Sequence, residues 1–262
     1  MYLGFKITSF LKFLVKAKPL AGYGIHSPFV FNFTTNVLST ANEKNIALNE
    51  IVNLKMHLKS DKRLLEINDF GASTGRSKIQ KISQVAKHAS VKNKYCRLLY
   101  RVTKEIQPKS IIELGTSLGI STIALSLAVP DCIVYTIEGS DTLAKAAEEN
   151  FKTLGLKNII QYIGKFDEQL DTILKDIKFP ALIFIDGNHK YLPTLKYFKT
   201  FADVINEESI VIIDDIHWSP EMNRAWNEIC NYPSATIKLD LFQMGIVFFK
   251  KGLPRLVYNI LF

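Results

Sequence analysis

Hydrophobic positions along the 262-residue chain fall into two regimes. From Ser110 onward, apolar runs recur at 111–114, 133–137, 159–163, 181–185 and 210–213. None alternates with polar residues, the mark of strands buried on both faces. Between them, apolar residues repeat at helical spacing over 121–129, 142–154, 166–176, 191–205 and 219–230. Strand and helix in alternation predict a doubly wound α/β fold with a mostly parallel sheet. Two further runs, 235–241 and 245–250, meet in a short turn through 243–245. Strands joined so closely pair antiparallel, because a parallel crossover needs a dozen or more residues.

Residues 1–90 read differently. Gly22, Gly24 and Pro28 break helical patterning in an aromatic stretch at 21–33, and 64–78 is rich in turn formers. Residues 92–106 then read as a helix, with Tyr95, Leu98, Leu99, Val102 and Ile106 on one stripe and Pro108 beyond its end. The expected division is a basic, helical or irregular extension over 1–90 and a ligand-binding α/β domain over 91–262. Near the start, Phe5, Ile7, Phe10, Leu11, Phe13, Leu14 and Val15 gather on one broad helical face, interrupted by Lys6, Lys12 and Lys16. No run approaches the roughly 20 apolar residues that span a bilayer, and the order of charge and apolar core is not that of a signal peptide. The segment 1–18 reads as a helix packed on its own domain or on a second subunit of a homodimer, or as a peripheral helix on an anionic membrane.

Composition sharpens this. An apolar content of 47% excludes a disordered chain. Cys96, Cys132 and Cys230 are widely spaced, which argues against a disulfide framework or zinc site and fits a cytoplasmic location. Residues 1–110 hold 19 Lys/Arg against 6 Asp/Glu, whereas the remainder holds 14 against 19. The basic half suits nucleic acid, anionic lipid or an acidic substrate, or is a solvated lysine-rich surface.

The candidate chemistry lies at strand ends. Glu113-Leu114-Gly115-Thr116-Ser117-Leu118-Gly119 follows a buried strand and precedes a helix. Its glycines permit a sharp turn and close ligand approach. It is neither the G-x-G-x-x-G of dinucleotide folds nor a P-loop, so the ligand carries no phosphate there. Glu113 suits a ligand ammonium. Glu138 ends the next strand, 23 residues after Gly115, near the spacing of an acid that grips a ribose diol. Asp69-Phe70-Gly71-Ala72-Ser73-Thr74-Gly75 has the same glycine spacing but no acid-ended strand after it, and reads as a substrate-side or structural turn. Phe184-Ile185-Asp186-Gly187-Asn188-His189 places a carboxylate and an imidazole of general-base type at a third strand end. Ile213-Asp214-Asp215-Ile216-His217-Trp218 follows a fourth; Asp214 or Asp215 could cap a helix, His217 is a lesser acid–base or metal candidate, and Trp218 could wall a pocket.

ELGTSLG, TIEGS, FIDGNHKY and IIDD, in this order, resemble the class I S-adenosylmethionine-dependent methyltransferases, and within them the small-molecule O-methyltransferases related to the catechol type. The resemblance runs from about Tyr95 to the C-terminus; IHSPFVF and the basic helix look like a bacterial subgroup. It implies a seven-stranded Rossmann-like sheet with an antiparallel last strand. It implies S-adenosyl-L-methionine bound by Glu113, Gly115, Thr116, Ser117, Gly119, Glu138 and Gly139, with Gly164, Lys165 and Phe166 beside the adenine and Asp186 near the sulfonium. The family prefers an acid where Lys165 stands. It further implies Mg²⁺ on Asp186, Asp214 and Asp215 (Asp215 replacing an Asn) and His189 as base where the catechol type has a lysine. The expected activity is O-methylation of a small or medium-sized hydroxylated acceptor. RNA methylation using the basic N-terminal region, and a non-catalytic cofactor-binding role at a membrane, are the competing expectations.

Overall fold

A computed structural model describes residues 2–39, 46–68, 77–88 and 90–262, with backbone alone at 46, 47 and 68. The loop expected at 69–75 lies outside the described residues. In chain order the elements are α1 (Leu3–Lys16), β1 (Lys18–Pro19), α2 (Pro28–Phe33), α3 (Ile46–Ser60), β2 (Leu64–Asn68), β3 (Ser77–Lys81), α4 (Ile82–His88), α5 (Asn93–Ile106), β4 (Ser110–Leu114), α6 (Ile120–Ala128), β5 (Ile133–Glu138), α7 (Asp141–Thr153), β6 (Ile159–Ile163), α8 (Phe166–Lys175), β7 (Ala181–Ile185), α9 (Tyr191–Ala202), β8 (Ile210–Ile213), α10 (Pro220–Cys230), β9 (Ile237–Asp240), β10 (Gly245–Phe248) and β11 (Leu256–Leu261). Contacts divide them into two compact units, Asn42–Lys178 and Met1–Ala41 with Phe179–Phe262.

In the unit Asn42–Lys178, β4, β5 and β6 run parallel, pairing Glu113 with Thr136 and Glu138 with Ile163. Every residue of β4 is buried, the polar Ser110 and Glu113 included. Helix α5 buries Tyr95, Leu98, Leu99 and Val102. It ends at Gln107, whose left-handed backbone precedes Pro108. The expected irregular region contributes α3, α4 and the antiparallel hairpin β2–β3 to this unit. The hairpin is tied to α7: Thr142 donates to the Glu66 carbonyl at 2.6 Å, and Arg63 bridges Asp61 and Glu149 at 2.8 Å each.

In the other unit the strand order is β1-β11-β9-β10-β8-β7. β7 and β8 are parallel, and β10 lies antiparallel between β8 and β9, the hairpin its short turn demands. β11 and β1 extend the edge in parallel. Pro28 starts a helix rather than breaking one. Ser27 caps α2 by accepting from the Val30 amide, and a proline at the first helical position lacks only an N–H that would be unpaired there. Helix α1 buries Phe13 and packs Phe10 and Phe13 on Phe242, with centroids 4.8 and 5.4 Å apart. No helix among the described residues is long and apolar enough to cross a membrane.

Candidate functional site

The first group of site residues lies in the unit Asn42–Lys178, where the chain leaves β4, β5 and β6. The Gly115 amide donates to the Ile137 carbonyl at 3.0 Å, holding the turn after β4 against β5. Gly115, Ser117 and Gly119 have φ of 106°, 50° and 78°. Gly119 is needed twice over: its backbone is left-handed, and a Cβ there would run into the Phe151 ring and reach 3.3 Å from the Ala147 Cβ of α7. Asn150 of α7 also donates to the Leu118 carbonyl at 2.9 Å.

Glu138 ends β5 and accepts from two loop amides, Ser117 at 2.7 Å and Ser140 at 2.9 Å, one on each carboxylate oxygen. The carboxylate is thereby oriented. An ionised carboxylate of this kind can accept from both hydroxyls of a diol. Gly139 sits half-buried in the turn between Glu138 and Ser140. Gly164, at φ 134°, donates to the Glu138 carbonyl at 2.9 Å and brings the end of β6 alongside. Lys165 precedes α8 and pairs with Glu168 at 3.6 Å, and Phe166 opens that helix half-buried.

Glu113 is fully buried in β4. Its Oε2 accepts from Thr122 at 2.5 Å and Thr136 at 2.7 Å, and the Thr136 hydroxyl also meets that of Thr116 at 2.6 Å. Its Oε1 is buried without a hydrogen-bond partner. Burial pushes the carboxyl up to about 7, against the pull of its hydroxyl donors. The same shift makes a prediction. A carboxyl whose pKa is higher folded than unfolded contributes stability that is present below its unfolded value and lost as pH rises through its folded one. Denaturation of the ligand-free protein at pH 5 and pH 7 should therefore show a fall with pH that Glu113→Gln reduces, by about 3 kcal/mol at most.

The second group lies in the unit holding β7 and β8. After β7, Asn188 and His189 take φ of 64° and 37°, and the His189 amide donates to the Gly187 carbonyl at 2.8 Å. After β8, Asp215 takes φ 55°. Of the six non-glycine residues with positive φ among those described, four (Ser117, Asn188, His189, Asp215) lie in the turns read as functional. Such backbone costs of order 1 kcal/mol or more per residue and concentrates at functional sites. The His189 ring lies between two carboxylates: Nε2 is 3.5 Å from Asp186 Oδ1, and the buried Nδ1, which has no hydrogen-bond partner, is 3.7 Å from Asp215 Oδ2. Asp214 is buried and faces Gln243 at 3.5 Å. Burial, then the charges of Asp186 and Asp215, raise its pKa well above the carboxylate range.

Among the described residues, no group of three or more His, Cys, Asp or Glu side chains is disposed to hold a metal ion. Asp186 and Asp215 flank an imidazole, and Asp214 sits in a buried setting that favours its neutral form.

His217 is also placed differently from its reading as an acid–base or metal group. Nε2 meets Asp240 at 2.8 Å and Nδ1 meets the Asn223 amide nitrogen at 2.7 Å. Asn223 donates, so Nδ1 accepts and the proton on Nε2 points to Asp240. Asp240 also accepts from Trp226 at 3.0 Å and from the Phe242 amide at 2.8 Å. The histidine is a clasp tying the loop after β8 to α10 and the β9–β10 turn. Trp218 is exposed beneath the Lys6 ammonium, 2.9 Å from its ring centroid. Thr122, Thr136 and Ser140 are partners that sequence reasoning missed. Thr136 and Ser140 stand two residues before and after Glu138 and were open to local reading, whereas Thr122 reaches Glu113 from α6, nine residues on.

The fold is that of the class I methyltransferase superfamily. The chain matches the SAH-bound Podospora anserina methyltransferase PaMTH1 at TM-score 0.59 and 15% identity, over 87% of this chain and 97% of that one. It matches the SAM complex of the O-methyltransferase TomG from Streptomyces achromogenes at TM-score 0.55 and 18% identity, over 84% and 95%. More narrowly, residues 112–216 match the family described as a methyltransferase domain. Uncharacterized protein R132 of Acanthamoeba polyphaga mimivirus is 32% identical over 139 residues, 48% of this chain and 62% of that protein. The chain thus spans less than two thirds of the length of the curated relatives it matches.

Proposed function

We propose that this protein is an S-adenosylmethionine-dependent O-methyltransferase of a small or medium-sized hydroxylated acceptor. The observation that carries the reading is Glu138, a carboxylate at the end of β5, the second strand of the parallel series, where an acid grips a ribose diol, oriented by the Ser117 and Ser140 amides. Solved structures of this fold hold SAM or SAH. When bound, the cofactor supplies an electrophilic methyl group. His189 accepts the proton of the acceptor hydroxyl, and Asp186 and Asp215 stabilise the resulting imidazolium. The scheme uses no metal; a divalent ion on Asp186, Asp214 and Asp215 is the alternative that the chelator arm of the test decides.

The test is calorimetric titration with S-adenosylmethionine, followed by an assay of S-adenosylhomocysteine release over a panel of phenols and other hydroxylated compounds. Binding, and turnover unchanged by a chelator, are the expected results. Absence of cofactor binding overturns the function; turnover abolished by chelator and restored by Mg²⁺ overturns the metal-free scheme.

A further inference from the structure

We propose that α1 is a peripheral membrane helix whose outward face docks on an anionic lipid surface. The inference does not depend on the methyltransferase reading. One face of α1 is already used: Phe10 and Phe13 pack on Phe242, and Lys6 sits over Trp218. A helix so seated would ordinarily present polar residues outward. Here the face adjoining Phe10 carries Leu3, Ile7, Leu11 and Val15, exposed to 72%, 53%, 57% and 87%. They recur every four residues, so they form one stripe, which the exposed Leu14 joins. Isolated exposed apolar residues are ordinary; a contiguous stripe marks an interaction surface.

Charge selects the occupant. Lys12 and Lys16 border the stripe, Lys18 follows it, all three are exposed, and α1 contains no acidic residue. A two-fold pairing with a second copy brings the same surface against itself, setting lysine against lysine with no carboxylate on the helix to answer. An anionic bilayer meets both features: phosphate and carboxylate headgroups take the lysines, and the acyl boundary takes leucine, isoleucine and valine. Since the helix cannot span a membrane, it lies in the interface plane.

The experiment is flotation of the full chain with phosphatidylcholine vesicles and with vesicles also containing phosphatidylserine, across a salt series. Wild type should bind the anionic vesicles, about tenfold or more weakly to phosphatidylcholine alone, and less as salt rises. Leu11→Glu, and separately Lys12→Glu with Lys16→Glu, should each lower binding about tenfold or more while thermal melting is unchanged, these side chains being exposed. The proposal is overturned by absence of flotation at low salt or by variants that bind like wild type. A wild-type dimer in light scattering that Leu11→Glu converts to monomer overturns it too, assigning the face to a second copy.

Discussion

Glu138→Ala is expected to weaken S-adenosylmethionine binding on the order of 100-fold. Hydrogen bonds to a charged group are worth about 1.5–3 kcal/mol each. Losing a bidentate grip on a diol therefore removes about 3 kcal/mol, or two decades in Kd. The side chain needs little ordering on binding, because the Ser117 and Ser140 amides already hold both its oxygens. Alanine also unties those amides, so some loss comes from loosening the turn after β4. Glu138→Gln separates the two effects. It keeps the side-chain shape but offers one acceptor oxygen, and should fall between wild type and alanine. Calorimetry on both variants, with melting curves to show that each is folded, reads this directly. An alanine variant binding within a few-fold of wild type would sink the assignment of Glu138 to the ribose.

The sequence was most informative where local pattern decides structure. Apolar runs that do not alternate located β4 to β8 within a residue or two; β7 and β8 are buried throughout, as such runs imply, whereas β6 is an edge strand with Ile160 and Ile163 exposed. The short link at 243–245 fixed the antiparallel sense of β10, since no crossover fits there. The strand ends carrying Glu113, Glu138, Asp186 and Asp214 follow from the same pattern. What escaped was decided by contacts distant in sequence. β1 has two residues and exists through its pairing with β11, more than two hundred residues away. His217 has the residue type of an acid–base group, but its partner Asp240 arrives from β9. Convergence of Asp186, Asp214 and Asp215 was expected from a ligand set that the family uses. In the structure the imidazole of His189 lies between two of these carboxylates, and Asp214 feels the charge of both. In the first 90 residues weak local signals competed: Pro28 ends a helix or starts one according to what precedes it, and Ser27 decides for a start.

His189→Asn is expected to lower kcat by about 10²–10⁴-fold, the range for loss of a positioned base, while leaving S-adenosylmethionine affinity within a few-fold. Asparagine is the informative replacement because of the backbone. Residue 189 has φ 37°, and asparagine tolerates the left-handed region better than alanine. A loss of activity then reports on the imidazole rather than on a disturbed turn. His189→Lys is the companion variant. It returns a proton acceptor of the type that the catechol-like enzymes carry there, and should recover part of the rate with its pH profile displaced upward, since lysine's ordinary pKa lies about four units above that of histidine. Asp215→Asn should cost less than His189→Asn, because it removes one of the two carboxylates that stabilise the protonated ring. If His189→Asn turned over at the wild-type rate with an unchanged pH profile, the proton would leave by another route, and the ring between Asp186 and Asp215 would be only a filler of the acidic turn.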